Sequence, residues 1–223
     1  MFFNTFLHIL ENDMGIFFDK KINNLKCVDN VKKGLKSKIV CFGDSITWGY
    51  TLGIQSPENY PASLKKRIKK EYPRSNISVI NEGHNGWTSS DALSYVDKII
   101  KLNPDLVIIM FGINDLLKGI DLKSYLFNIK QIIKKIKKFK IDVIFLSPTE
   151  INRNNNNILD VYARKALRIA RYNGANIIDI RKIMKKTFKL MGVGKSYFLS
   201  IDTLHIKSSK YKIISELIYK KIF

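Results

Sequence analysis

Leu106-Val107-Ile108-Ile109-Met110-Phe111 is an unbroken apolar run that passes directly into Gly112-Ile113-Asn114-Asp115. A strand with one wet face alternates apolar and polar residues. A run without alternation reads as a strand covered on both sides, the mark of a central parallel strand. Asn103-Pro104, just upstream, stops a helix over Thr88–Leu102, for which Thr88, Ser89 and Ser90 are candidate N-caps. Working outward, apolar or β-branched runs at Lys38–Phe42, Ile77–Asn81, Asp142–Leu146 and Asn176–Asp179 read as further strands. Helical patterns over Tyr60–Glu71, Leu122–Phe139, Ile158–Tyr172 and Ser208–Ile222 lie between or after them, with Pro73, Ser147-Pro148 and Asn173-Gly174 as stops. Alternating β and α elements predict an α/β protein with a parallel sheet, right-handed crossovers and helices on both faces. Ligands then gather at the carboxyl ends of the strands.

The bulk composition agrees with such a fold. The chain has 223 residues, 45% apolar and 26% charged, as in an ordinary globular protein. Disorder, collagen-like repeats and a disulfide-stapled miniature are poor descriptions. No stretch reaches the roughly 18 apolar residues that a membrane-spanning helix needs. Lys plus Arg is 39 against 19 for Asp plus Glu, a formal charge of +20. Such a charge raises the question of a nucleic-acid or anionic-surface partner. The lysine positions favour a solvated face instead. Lys134, Lys135, Lys137 and Lys138 flank a stripe of Leu122, Tyr125, Leu126, Ile129, Ile132, Ile133 and Ile136 at helical spacing. Lys65, Lys66, Lys69 and Lys70 share another helix, and Lys182, Lys185, Lys186 and Lys189 form a third group. Basic residues are not interleaved with aromatics, so no specific nucleic-acid partner is expected.

Cys27 and Cys41 are too few for a disulfide framework, so a reduced setting is expected. Met1–Leu10 lacks a basic lead, and Glu11 and Asp13 end its apolar stretch, so it does not read as a signal peptide and a cytoplasmic location is expected. Phe2, Phe3, Phe6, Leu7 and Leu10 would line one helical face. Residues 1–37 are set apart as an N-terminal extension of unknown role, and residues 38–223 as one domain. Oligomeric state has no signature in the chain.

The unusual residues lie where the fold should place a site. The first strand ends in Gly43-Asp44-Ser45-Ile46-Thr47-Trp48-Gly49, the second in Asn81-Glu82-Gly83-His84-Asn85-Gly86-Trp87, the third in Gly112-Ile113-Asn114-Asp115. Asp202-Thr203-Leu204-His205 precedes the last helix. A serine hydroxyl needs a base before it can attack. Ser45 sits on a strand-to-helix turn, and His205 is the one histidine with a carboxylate three residues before it. That spacing lets Asp202 reach the far ring nitrogen and fix the tautomer. Acyl transfer also needs donors for the developing oxyanion. The N–H groups of Ser45 and Gly86 and the amide of Asn114 are the candidates. Asp44 and Asp115 read as loop-ordering carboxylates, and His84 as a loop histidine. Trp48, Tyr50 and Trp87 are candidates to line a substrate pocket.

These four segments resemble the signature blocks of the SGNH hydrolases, the GDSL esterase/lipase superfamily. Gly43-Asp44-Ser45-Ile46 is similar to the nucleophile block with Ile where Leu is common, and the other three segments follow in family order. The resemblance spans residues 38–223. It implies a three-layer α/β/α sandwich around a central parallel five-stranded sheet (flavodoxin-like), and serine esterase chemistry with no metal and no cofactor. Trp48-Gly49-Tyr50 looks most like the small bacterial arylesterase and acetylesterase branches.

The expected substrate is a small-molecule ester or an acylated carbohydrate or lipid, of short acyl or acetyl type. Transfer of the acyl group to a sugar hydroxyl, lysophospholipase or thioesterase action, and a non-catalytic basic binding protein stay open as alternatives. Competing motifs fail. There is no Gly-x-Ser-x-Gly elbow, and no His-Glu-x-x-His or cysteine cluster for zinc. Gly194-Lys195-Ser196 has Lys189 where a phosphate-binding loop needs its first glycine.

Overall fold

The apolar run around residue 108 is the middle of the molecule. In the computed structural model, which describes residues 21–223, the strands in chain order are β1 (Lys36–Gly43), β2 (Tyr50–Thr51), β3 (Ile54–Gln55), β4 (Asn76–Gly83), β5 (Leu106–Met110), β6 (Asp142–Leu146) and β7 (Asn176–Ile178). Five of them form one sheet in the order β4-β1-β5-β6-β7, and every neighbouring pair is parallel. All residues of β5 are buried, as its lack of alternation requires. β2 and β3 form a separate antiparallel hairpin.

The helices are α1 (Lys26–Lys32), α2 (Ser45–Trp48), α3 (Tyr60–Glu71), α4 (Ser89–Lys101), α5 (Ile113–Leu117), α6 (Leu122–Lys137), α7 (Asn156–Tyr172), α8 (Ile180–Met191) and α9 (Tyr211–Ile222). α6 packs between α4 and α7, while α3 packs on α9, which gives a layer on each face of the sheet. The fold is thus a three-layer α/β/α sandwich. Its strand order reverses direction at β1, and the crevice between the carboxyl ends of β1 and β5 is the switch point where such folds bind ligands.

Local signals explain the helix ends. Thr88 caps α4 in a reciprocal box with Asp91, and Asp121 caps α6 by accepting from the Ser124 N–H. Along α6, Tyr125, Ile129, Ile132, Ile133 and Ile136 are buried, while the lysines between them are exposed or half-exposed. The expected solvated face is there.

The structure departs from the sequence expectations at several element ends and in short elements the sequence does not announce. β1 starts at Lys36 and β4 at Asn76, because these two residues pair with each other at the edge of the sheet. The last helix begins at Tyr211, after a single tight turn at Ser208–Lys210. α8, visible in the sequence only as a lysine group, is a full helix that buries Ile180, Ile183, Met184, Thr187 and Phe188.

The described part of the 1–37 stretch packs on the body. Leu25, Cys27, Val28 and Val31 join the core, Ser37 Oγ donates to the Cys27 carbonyl, and the Lys26 N–H bonds Asp142. Burial pushes the Cys27 thiol up to about 12 and Cys41 higher still, so neither is a reactive thiol near neutral pH. The apolar face of Met1–Leu10 and His8 lie outside the described residues. No helix among the described residues is long and apolar enough to cross a membrane.

Candidate active site

Sheet register brings three of the four sequence blocks into one row. Gly43 of β1 is level with Gly83 of β4 and with Met110 of β5. Ser45, Gly86 and Asn114 therefore leave adjacent strands two to four residues beyond a common line.

Asp44 makes the first turn. Its backbone is extended, its side chain accepts from the Ile46 N–H at 2.9 Å, and Ser45 becomes the first residue of α2. The opening N–H groups of a helix have no intrahelical partner, so the Ser45 N–H is left for another acceptor. Ser45 itself is only 7% exposed. Glycines allow this turn to lie against the sheet. A Cβ on Gly83 would sit 2.0 Å from the Trp48 nitrogen, so β4 and the Ser45 turn are in backbone contact.

The fourth block arrives from the far end of the chain. Asp202 Oδ1 accepts from the N–H groups of Leu204 and His205, at 3.0 and 2.9 Å. Its Oδ2 pairs with His205 Nδ1 at 2.6 Å, and His205 Nε2 lies 2.8 Å from Ser45 Oγ. Burial raises the Asp202 carboxyl, but hydrogen bonds from the His205 ring and from the two N–H groups outweigh it and hold the group below the usual carboxylate range. An ionised Asp202 makes Nδ1 the donor, which leaves the Nε2 lone pair facing the serine hydroxyl.

The segment is closed by pairing of Leu199 with Ile206, and the β6–α7 loop supports it from outside. There, Asn152 N–H donates to the Thr203 carbonyl at 2.8 Å and Arg153 donates to the Asp202 carbonyl at 3.2 Å. Thr203, between the two, is held at φ +64°, a conformation few threonines adopt. Buried Arg181 on α8 anchors the loop in turn by bonding the carbonyls of Thr149 and Asn156 and pairing with Glu150.

Asn114 and Asp115 divide their work. Asp115, fully buried, accepts from the N–H and hydroxyl of Ser89 and so fixes the start of α4. Asn114 donates one amide hydrogen to the Trp87 carbonyl at 2.9 Å. An amide has two hydrogens, so one stays available. Gly86 occupies the intervening turn at φ +74°.

The three candidate pocket aromatics fare differently. Tyr50 packs its ring 4.3 Å from the His205 ring, and Trp48 stands beside it at 6.2 Å. Trp87 instead stacks on His84 at 3.7 Å and meets Tyr95 edge-on, so its ring belongs to an aromatic cluster on the α4 side. Sequence reasoning missed Arg153 and Lys118. Both act on main-chain carbonyls, which leaves no residue pattern to read. Among the described residues, no group of three or more His, Cys, Asp or Glu is placed to hold a metal ion.

Residues 41–206 match the model of the GDSL-like Lipase/Acylhydrolase family, about three quarters of the chain. The chain belongs to this family. An acetylxylan esterase from Geobacillus stearothermophilus is 24% identical over 217 residues, 86% of this chain and 96% of that protein. An isoamyl acetate-hydrolyzing esterase from Saccharomyces cerevisiae is 27% identical, covering 83% of this chain and 85% of its own length. Among solved structures, the lipase/acylhydrolase from Enterococcus faecalis superimposes with a TM-score of 0.69 at 28% identity, over 82% of this chain and 93% of that one. This GDSL-like protein is an ester-hydrolysing serine esterase, and esters are its substrate class.

In this GDSL-like turn, Asp44 has a measurable signature. Burial, offset in part by the Ile46 N–H and reinforced by nearby Asp115, pushes its carboxyl up to about 7 from 3.8. Between pH 4 and 7 the folded state thus holds a proton that the unfolded chain has released, so folding stability falls as pH rises through that window and levels off above it. An asparagine keeps the acceptor oxygen for Ile46 and carries no charge. Asp44→Asn is expected to gain roughly 2–4 kcal/mol relative to wild type between pH 4 and pH 8. Urea denaturation of both proteins at pH 4, 6 and 8 measures this, and a difference that does not move with pH refutes it.

Proposed function

We propose that this enzyme hydrolyses short-acyl, acetyl-type esters through an acyl-enzyme on Ser45. The carrying observation is the continuous line from Asp202 Oδ2 to His205 (2.6 Å) and from His205 to Ser45 Oγ (2.8 Å). His205 Nε2 takes the hydroxyl proton as Ser45 Oγ attacks the ester carbonyl. Asp202 holds the ring and stabilises the imidazolium. The tetrahedral oxyanion is received by the N–H groups of Ser45 and Gly86 and by the second amide hydrogen of Asn114. His205 then gives its proton to the departing alcohol. In the second half, water loses a proton to His205, attacks the acyl-serine, and the acid leaves as Ser45 recovers its proton.

Two facts favour a small acyl group. Ser45 is almost fully buried, with the Tyr50 and His205 rings on one side. Two of the curated relatives carry acetyl esters in their names. A p-nitrophenyl ester series from acetate to palmitate tests the reading. Expected is a kcat/KM maximum at acetate or propionate and a fall of roughly tenfold or more by octanoate, since crowding or a lost methylene contact is worth on that scale. A maximum at octanoate or longer overturns the short-acyl assignment. Adding a sugar acceptor to the acetate reaction separates hydrolysis, in which acetate is released, from transfer, in which an acetylated sugar forms.

A further inference from the structure

Lys118 stands at the end of α5, four residues after Asn114, so the two side chains leave the same face of one helical turn. Each ends on a main-chain carbonyl of the turn that carries Gly86. Asn114 Nδ2 donates to the Trp87 carbonyl at 2.9 Å, and Lys118 Nζ donates to the Gly86 carbonyl at 2.6 Å. Two successive carbonyls are thus tied to one helical turn. Within the loop itself, the Trp87 N–H reaches the His84 carbonyl at a long 3.3 Å.

The loop needs such a tie. Gly86 is at φ +74°, and a glycine there gives close approach without the steric walls that fix an ordinary residue. A Cβ built on Gly86 would find Lys118 Nζ at 3.9 Å as its nearest neighbour, so the ammonium occupies the space beside the α-carbon. Lys118 makes no ion pair within 4.0 Å among the described residues. Its partner is a neutral carbonyl, although it is exposed and its charge is felt by Asp91. A charge-assisted bond to a carbonyl is stronger than a neutral one, which suits a clamp on a loose hinge.

We propose that Lys118 is a positioning residue of the oxyanion hole: it clamps the carbonyl of the Gly86–Trp87 peptide and so fixes, across the Gly86 α-carbon, the adjoining Asn85–Gly86 peptide with its N–H facing the reacting carbonyl. The clamp rests on the reading of Gly86 as an oxyanion donor. It acts in the transition state, when the oxyanion forms, and hardly at all on ground-state binding. Removing a donor outright costs about 100-fold or more, so loosening one costs less, roughly 10- to 30-fold in kcat.

The test uses p-nitrophenyl acetate with wild type, Lys118→Met, Lys118→Arg and Ser45→Ala. Lys118→Met is expected to lower kcat by roughly 10- to 30-fold with KM within about twofold, while its melting temperature stays near that of wild type because the side chain is exposed. Lys118→Arg, which restores a charged donor, is expected to recover kcat to within about threefold of wild type. Combining Lys118→Met with Asn114→Ala is expected to cost less than the product of the two single losses, since both hold one turn. A Lys118→Met enzyme with wild-type kcat, an arginine variant as impaired as the methionine one, or fully multiplicative losses would overturn the clamp. Activity that persists in Ser45→Ala would instead bring down the acyl-enzyme reading beneath it, so the two failures are distinguishable.

Discussion

Ser45→Ala is expected to lower kcat on p-nitrophenyl acetate by about five orders of magnitude and to abolish labelling by a fluorophosphonate, with no loss of fold. The hydroxyl contacts His205 Nε2 at 2.8 Å and little else, so an alanine leaves the turn and its Asp44 cap intact. The remaining acceleration would come from binding and the oxyanion donors. His205→Ala is expected to cost about as much, because a serine without its base is no better a nucleophile than an alcohol in water. The double variant should be no worse than either single one, since the two groups act as a unit. Asp202→Asn should also fall by about 10⁴, through loss of the correct tautomer. Steady-state kinetics and intact-mass analysis after labelling report all of these. Label found on Ser45→Ala at another residue would refute the nucleophile assignment.

Asn114→Ala is the second large effect. Its loss is expected to be about 10²- to 10³-fold in kcat, or roughly 3–4 kcal/mol of barrier, with KM little changed. The amide is held rigidly by its bond to the Trp87 carbonyl, and Asp115 next to it is locked onto Ser89, so the donor is in place before substrate arrives. That preorganisation is why one hydrogen bond has so much leverage. Asn114→Asp should be at least as damaging, because a carboxylate would face the oxyanion with like charge. A loss of less than tenfold in Asn114→Ala would remove the side chain from the oxyanion hole and leave it the task of holding Trp87.

Much of this architecture is legible in the chain because short-range rules decide it. The unalternating Leu106–Met110 strand announces a covered sheet, and Thr88 and Asp121 mark helix starts by the hydrogen bonds they make. The Asp202–His205 pair is readable from residue type and spacing, because Asp202 must reach His205 across a single turn and does so, whereas the meeting of that pair with Ser45 is what the resemblance to the SGNH blocks implies.

What escaped had other causes. α8 carries Ile180, Ile183, Met184, Thr187 and Phe188 at helical spacing, but the lysines between them make the segment read first as a charged group. α1 is a seven-residue helix with no side-chain cap, and it is helical because Cys27, Val28 and Val31 are packed against the body. A tertiary contact of that kind leaves almost no local trace. Trp87, like Trp48 and Tyr50, lies beside a site motif in the sequence and reads as a pocket candidate on that ground. The preference of aromatic rings for one another places it with His84 and Tyr95 instead. Lys118 and Arg153 recognise backbone, so nothing in the residue types foretells their partners.

The contact between β4 and the Ser45 turn has a further consequence. With Gly83 flush against Trp48, any side chain at 83 would push the α2 backbone away and carry the serine out of line with His205. The two segments can therefore only vary together, as a fixed chassis. Room for altering what the enzyme accepts lies in the hairpin of β2 and β3, which meets the imidazole through Tyr50, and in the stretch from 192 to 201 before the Asp202 carboxylate. Leu52, Ile54 and Ile201 stand exposed there, and their side chains take no part in the hydrogen bonds that join Ser45, His205 and Asp202.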